Sequence, residues 1–518
     1  MSNTADYGKK SFYEIYPLTF ADGNGDGIGD IQGIISKLPY IKSLGFEGIW
    51  INPLYVSAWK DGGYDIIDPF RIDPRFGTNE DAERLIATAH ELGITVFFDL
   101  VPGHLSWLNP LFIKSGEATR NSFSNLFIWT DREFEDFPDA EGNLVHGLFP
   151  RIGSFYVNFF VHQPAINYGF ARIDYPSWQH GIDSEGAAKG RAFLVSIMEF
   201  WLGLGVDGFR VDMADSLVKN DDDKKATIET WHRIRAEVLK KFPDFKMVSE
   251  WSNPARSFAA GFDSDFVLDH EDNFSHAFFR AGDGYCDSHP EQKPLLAEFS
   301  QELWDRFAKE MNDEVLTAQN NPGHWLSPIS GNHDTWRIAD SLKGNSLRLA
   351  YLMLFTLPGV PFVFAGDEAG QTTIRNLPSK EGGYQRTGAR LPMKWDDSNA
   401  THGFSSADKV ALYLPQNSRD ATVATQKKDG TSVLSLIRKL NSLRKSDADL
   451  VSATGFVLLP QPLSYRRGKT LVAMNLKNEP LHLKVGQGQV LLAIGNYQEA
   501  AGEIVLPLHS AVILKEED

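Results

Sequence analysis

Short apolar runs that end in polar or charged residues alternate along most of the chain with longer stretches whose apolar residues recur every three or four positions. The runs 12–17, 48–52, 95–101, 208–212, 247–250, 266–268, 326–330 and 361–365 each have the length of a barrel stave. Between them, residues 80–92, 189–204, 224–241 and 336–357 carry helical spacing, and Arg233, Lys240 and Lys241 suit a helix C-terminus. This pattern predicts eight βα units, an α/β chain folded as a TIM (β/α)8 barrel. From 104 to 186 the chain is irregular, aromatic and rich in Asn, Pro and Gly, too long for an ordinary βα loop. It reads as a subdomain inserted after strand 3, on the face where barrels build active sites. A second long connection, 366–416, follows the eighth run, and a last helix is expected over 433–444. Beyond it, alternation without helices over 455–459, 470–476, 481–485, 490–494 and 504–508 predicts a C-terminal antiparallel β domain. The expected organisation is a barrel over 1–103 and 187–450, an inserted subdomain over 104–186 and a β-sandwich-like domain over 451–518.

At 518 residues the chain is long enough for this plan, and 42% hydrophobic with 23% charged residues is the composition of a globular protein. A net charge of −17 repels polyphosphate backbones and anionic membranes, so no nucleic acid and no membrane are expected as partners. The single cysteine, Cys286, forms no intramolecular disulfide and reads as a packed thiol. The polar N-terminus has no signal-peptide core, and the expected location is the cytoplasm, as a monomer or small homo-oligomer.

The strand ends supply candidate chemistry. Cleaving an acetal with retention takes one carboxylate to attack the anomeric carbon and one carboxylic acid to protonate the leaving oxygen. In Gly208-Phe209-Arg210-Val211-Asp212 the period of two puts Arg210 and Asp212 on one side, and the guanidinium would keep Asp212 an anionic nucleophile. Glu250, ending the next run beside the indole of Trp251, is read as the acid. Asn332-His333-Asp334 and the segment from Asp99 to His104 bring further carboxylates and imidazoles to the same face. Any one aspartate at a strand end is commonly a cap or an ion pair; it is their joint placement that points to chemistry.

These segments, at 99–104, 208–215, 248–251 and 331–334, resemble the signature segments of the α-amylase family of glycoside hydrolases, and the α-glucosidase and oligo-1,6-glucosidase branch in particular. The resemblance implies that Asp212 is the nucleophile, Glu250 the general acid and base, and Asp334 the carboxylate that grips sugar hydroxyls. Arg210, His104 and His333 would bind around the same glucose ring. Gly63-Tyr64-Asp65 resembles the loop in which the tyrosine stacks on that ring and the aspartate bonds its hydroxyls. Arg390 is similar to an arginine that, in exo-acting α-glucosidases, pairs with this aspartate and closes the pocket. The implied activity is retaining hydrolysis of α-glucosidic bonds in short gluco-oligosaccharides through a covalent β-glucosyl-Asp intermediate. An endo-acting α-amylase, or a transglycosylase or isomerase using the same intermediate, are the alternatives.

Two departures stand out. Gly103 replaces an asparagine that in the amylases ligates calcium, and Ala165, in Gln163-Pro164-Ala165-Ile166-Asn167, replaces an aspartate of oligo-1,6-glucosidases. Met213 after the nucleophile leaves linkage preference open. Separately, Asp22, Asn24, Asp26 and Asp30 alternate with glycines, the requirement for a loop that wraps a hard cation. The family resemblance supports a structural Ca²⁺ or Mg²⁺ here, with Ile28 giving its carbonyl. Residues 155–161 could stack on sugar or pack the insertion, 221–225 reads as a solvated helix start, and 270–273 as a possible distal subsite.

Overall fold

The protein was analysed as a computed structural model that describes residues 6–132, 143–268, 273–280, 292–381, 386–407, 411–500 and 502–517. Cys286 and residues 270–272 lie outside these. Eight parallel strands, β1 (Phe12–Ile15), β2 (Gly48–Ile51), β3 (Thr95–Leu100), β4 (Gly208–Val211), β5 (Lys246–Ser249), β6 (Ser264–Val267), β7 (Trp325–Pro328) and β8 (Phe362–Phe364), form one sheet whose order follows the chain from β1 to β7, with β8 beside β1. A single parallel bridge from Ile329 to Phe362 joins β7 to β8 and brings the sheet round on itself. All eight expected runs are therefore staves of a (β/α)8 barrel.

The helices outside are α1 (Ile31–Ser43), α2 (Asn79–Glu91), α3 (Glu185–Gly203), α4 (Lys225–Leu239), α5 (Pro254–Ala259), α6 (Gln301–Gln319), α7 (Gly344–Thr356) and α8 (Val433–Ser446). Their starts have local causes: Asp30 caps α1, Thr78 and Asp81 form a reciprocal capping box on α2, and Ser184 caps α3. The expected single helix over 336–357 is broken into Ile338–Ser341 and α7, because Lys343 is extended and Gly344 has a φ of +54°. Pro39 lies inside α1, and neither α1 nor α6 was among the helices named from the sequence.

The barrel interior shows why charge collects at one end. Phe12, Trp50, Phe97, Val248, Phe266 and Phe362 point inward and pack with Tyr7 into one buried cluster. Two residues further along their strands, the same inward direction is taken by Glu14, Asn52, Asp99 and Glu250. On β4 the aromatic level is occupied by Gly208, where a Cβ would lie 2.7 Å from the Phe97 ring, and the polar levels by Arg210 and Asp212. An aromatic plug thus supports a layer of ionisable groups at the C-terminal mouth.

The long connection after β3 contains the helix Pro110–Ser115 and the hairpin Leu144–Val145 with Phe155–Tyr156. Phe112, Trp129, Phe149 and Phe155 pack together, so the aromatic run at 155–161 begins as core, while Phe159 and Val161 face solvent. At the charge run, Asp221 accepts from the Thr227 N–H of α4 at 2.7 Å. C-terminal to α8, a five-stranded and a three-stranded antiparallel sheet enclose Leu471, Ala473, Leu483, Ile504, Leu506, Val512 and Leu514. This β domain packs on α7 through Tyr465, whose hydroxyl bonds Thr356 Oγ1, and through Arg467, which donates to the Thr356 carbonyl. Among the described residues no helix is long and apolar enough to cross a membrane.

Candidate active site

Arg210 is the centre of the charged layer. Its side chain is fully buried, and its Nη1 donates to Asp99 Oδ1 at 3.0 Å, to Asp212 Oδ1 at 3.0 Å and to the Tyr64 hydroxyl at 3.3 Å. Its Nη2 lies 2.5 Å from Glu250 Oε1. One guanidinium therefore serves three carboxylates. Asp99 is enclosed, whereas Asp212 and Glu250 keep 11% and 15% of their side chains exposed, so these two are the ones a ligand in the barrel mouth can touch. The second Glu250 oxygen accepts the Met213 N–H at 2.9 Å, and Met213 adopts a φ of +40° in making the turn.

The expectation that the Arg210 guanidinium lowers the Asp212 carboxyl is corrected by this sharing. Burial, followed by the neighbouring Glu250, pushes the Asp212 carboxyl well above its ordinary range, and Arg210 only partly opposes them. Burial likewise pushes Asp99 up to about 6. Asp99 and Asp212 are thus both pushed upward by burial and interact through the shared guanidinium. The expected role of the Trp251 indole is also corrected, because successive residues on a strand face opposite ways. Glu250 points inward, and Trp251 packs outward against Phe262, ring centroids 6.3 Å apart.

Facing this pair is Asp334, with 28% of its side chain exposed. Its Oδ1 accepts from Arg386 at 2.7 Å and from Arg390 at 2.6 Å. Although burial opposes ionisation, the guanidinium of Arg386 and then that of Arg390 hold this carboxyl well below the usual range. His333 stacks on Tyr64 with centroids 5.1 Å apart, and its burial keeps the ring neutral. Its Nδ1 meets Glu14 at 2.9 Å, while its buried Nε2 has no hydrogen-bond partner among the described residues and lies beside Asp334 Oδ2 at 3.4 Å.

The loop after β2 differs from expectation. Asp65 does not meet Arg390: its oxygens accept from Ser57 Oγ and from the Lys60 and Asp61 N–H groups, so it anchors the loop from inside. Arg390 instead pairs with Asp334 and, at 2.9 Å, with Glu381, which also accepts from Tyr16 at 2.6 Å. The carboxylate that faces the site is Asp61, held by Arg386 at 2.6 Å and by Gln163 of the insertion at 2.7 Å. Gly62 is required there, since its φ is +56° and a Cβ would lie 2.5 Å from Arg390 Nη1. Tyr64 offers less to a ligand than expected: one ring face is covered by His333, and its hydroxyl donates to Asp99 at 2.8 Å. Sequence reasoning missed Asp61 and Arg386, which lie three residues before Tyr64 and four before Arg390 with no local signal of their own.

The profile of the α-amylase catalytic domain matches residues 14–453. The chain belongs to the α-amylase family. It is 28% identical over 527 residues to α-amylase 3 of Dictyoglomus thermophilum, covering 98% of this chain and 93% of that protein. With the oligo-1,6-glucosidase of Heyndrickxia coagulans it shares 29% identity over 583 residues, 98% of each chain being covered. The trehalose-6-phosphate hydrolase of Bacillus licheniformis has a similar fold, with a TM-score of 0.79 at 22% identity over 98% of this chain and 99% of that one. The protein is a glycosidase of this family.

For an α-amylase-family enzyme, the surroundings of Gly103 carry most interest. A Cβ there would lie 2.5 Å from Asn158 Nδ2 and 3.2 Å from Ser216 Oγ. Beneath them sits Lys219, whose Nζ donates to Asn158 Oδ1 and to the Ser216 carbonyl, each at 2.5 Å. A lysine thus supplies a cationic group next to the departure. Asn158 also donates to His104 Nδ1 at 3.3 Å, and His104 Nε2 meets the Tyr64 carbonyl at 3.2 Å. Burial pushes His104 down to about 4, so it is a neutral buttress between two loops. Ala165, fully buried, pairs its backbone with His104.

In the N-terminal loop, Asp22 accepts from the Asn24, Gly25 and Gly27 N–H groups, Asn24 from Asp26, and Asp26 from Ile28. Asp30 accepts from Gly23, Asn24 and Gly33. The donors are hard oxygens of the right chemistry, on a loop already closed by its own hydrogen bonds. Among the described residues no three His, Cys, Asp or Glu side chains converge as a preformed metal cluster.

Proposed function

We propose that the enzyme is an exo-acting α-glucosidase that removes glucose from the non-reducing end of short gluco-oligosaccharides with retention. The observation that carries this reading is the pairing of Asp212 and Glu250 on adjacent nitrogens of Arg210, opposite an anionic Asp334. Two carboxyls held on one guanidinium suit the roughly 5 Å spacing of a retaining pair better than the roughly 6.5–9.5 Å of an inverting one. In the first step Asp212 attacks the anomeric carbon, and the Glu250 carboxyl gives its proton to the departing glycosidic oxygen. In the second step Glu250 takes a proton from water, whose oxygen displaces Asp212. Asp334, kept anionic by two arginines, binds ring hydroxyls and favours the positive charge of the transition state. The Asp61–Arg386–Asp334 chain supports a closed pocket, since it spans from the β2 loop to the β8 connection across the mouth.

An endo-acting α-amylase and a transglycosylase remain the competing readings, favoured by relatives named α-amylase 3 and, at 29% identity over 473 residues, trehalose synthase/amylase of Mycobacterium tuberculosis. We further propose a structural Ca²⁺ or Mg²⁺ held by Asp22, Asn24, Asp26, Asp30 and the Ile28 carbonyl, apart from the chemistry. The deciding experiment is product analysis on maltose, isomaltose, trehalose, sucrose and maltoheptaose, with Asp212→Asn as control. Stepwise release of glucose supports the proposal and reveals the linkage. Mid-chain fragments of maltoheptaose, or new and isomerised oligosaccharides, would replace it with one of the competing readings. Activity equal to that of Asp212→Asn would overturn the catalytic assignment.

A further inference from the structure

The turn that delivers Glu250 is held from behind by a carboxylate that lies outside the reacting groups. β5 ends at Ser249, Glu250 follows, and Ser252 has a φ of +53°, a left-handed conformation that costs a side chain bearing Cβ. Such backbone persists only where its surroundings over-determine it. Asp265, on β6 and in register with Ser249, does this. It is fully buried; Oδ1 accepts from Ser249 Oγ at 2.6 Å and Oδ2 from the Asn253 N–H at 2.7 Å. The Ser252 and Trp251 N–H groups also act on it in favour of the anion. Ser249 Oγ shares a further 2.6 Å bond with Ser257 Oγ on α5. Strand, turn and helix therefore meet on one side chain.

Strand alternation defines what Asp265 can and cannot do. Val248 and Phe266 point into the barrel, so Ser249 and Asp265 point out of it, into the layer beneath α5 and α6. From there the carboxylate cannot reach a sugar. Its route to the chemistry runs through the backbone of residues 250–253. Burial makes the charge costly, pushing this carboxyl up to about 7 against the opposing hydrogen bonds. A purely apolar filler would leave the turn's N–H groups unsatisfied.

We propose that Asp265 is a positioning residue for the acid/base, fixing the 250–253 turn so that Glu250 projects onto Arg210 and the Met213 N–H. The inference rests on the reading of Glu250 as general acid and base. Asp265→Asn preserves shape but turns one acceptor into a donor that must oppose the Ser249 hydroxyl or the Asn253 N–H. The test measures kcat/KM on aryl α-glucosides of graded leaving-group acidity, for the wild type, Asp265→Asn and Glu250→Gln.

A misplaced acid harms poor leaving groups and spares good ones. Asp265→Asn is expected to lose about tenfold or more on the poorest leaving group and no more than about twofold on the best, steepening the dependence in the direction seen for Glu250→Gln. An equal loss on every substrate, or no loss, overturns the proposal, because a merely structural residue changes the amount of active enzyme without changing the slope. Ser249→Ala, which removes the hydroxyl's bonds to Asp265 and Ser257 and leaves the backbone N–H contacts to Asp265, is measured alongside. If Asp265→Asn does not fold, a steeper slope in Ser249→Ala at unchanged Tm supports the proposal and a wild-type slope overturns it. An unchanged slope in Glu250→Gln would overturn the acid/base reading itself, and the positioning role with it.

Discussion

Replacing Lys219 by methionine should make the stability difference from wild type depend on pH in one direction. Lys219 is 8% exposed, and its ammonium is tied to Asn158 Oδ1 and the Ser216 carbonyl. Burial pushes it down to about 7, against Asp215 which favours the charge, while in the unfolded chain it titrates near 10.5. Below pH 7 both states hold the proton and this group adds no slope. Between about 7 and 10.5 only the unfolded chain holds it, so stability rises with pH across that window. The separation of the two values corresponds to about 5 kcal/mol over the whole window and about 2–3 kcal/mol between pH 7 and 9. The variant lacks the titrating group and leaves two partly buried acceptors without this donor, at about 1 kcal/mol each. Urea unfolding of both proteins, followed by tryptophan fluorescence at pH 6, 7, 8 and 9, reads the difference directly. The wild type's advantage should grow from pH 7 to 9 and level off below. A difference independent of pH, or one that shrinks as pH rises, would refute the buried-lysine reasoning.

Other expectations follow from the same geometry. Arg386→Met leaves Asp61 without its cation and Asp334 with Arg390 alone; since Asp334 is partly open to solvent, the loss should be about 2–3 kcal/mol, a fall in kcat/KM of roughly 30–150-fold, and a fall below threefold would show that the Asp61 link does not organise the site. Removing divalent cations with a chelator should lower Tm by about 5 °C or more, restored by Ca²⁺; a melting curve indifferent to both would dispose of the proposed ion at the Asp22–Asp30 loop. Glu314, on α6, is pushed up to about 8 by burial and by Glu310 and Asp265. Its contribution is fully present below about 4.5 and is lost as pH rises through about 8, so Glu314→Gln should gain on the wild type in urea unfolding from pH 5 to pH 8, and an equal difference at both would count against it.

Much of this enzyme is written locally. Each stave is a short apolar run closed by polar residues, and a strand's period of two decides without further help that Arg210 and Asp212 face one way. The four strand-end motifs, and with them Asp212, Glu250 and Asp334, could therefore be placed on one face of a barrel from the order of residues alone. The family resemblance then implied a role for each. The break at Lys343 and Gly344 was obscured by helical spacing that continues across it.

What only the tertiary structure decided is which groups share a partner and which are dry. Asp61 and Arg386 are 325 positions apart, and no local pattern distinguishes Asp61 from Asp65; the difference arises because Ser57 and two backbone N–H groups take up Asp65 as the loop folds. Arg390 meets Glu381 and Asp334 for the same reason, that loops after different staves converge at one mouth. The upward push on the Asp212 carboxyl was equally out of reach of sequence. It depends on how many carboxylates one buried guanidinium must serve, and charge in a low-dielectric site is governed by every neighbour in space, whatever its place in the chain.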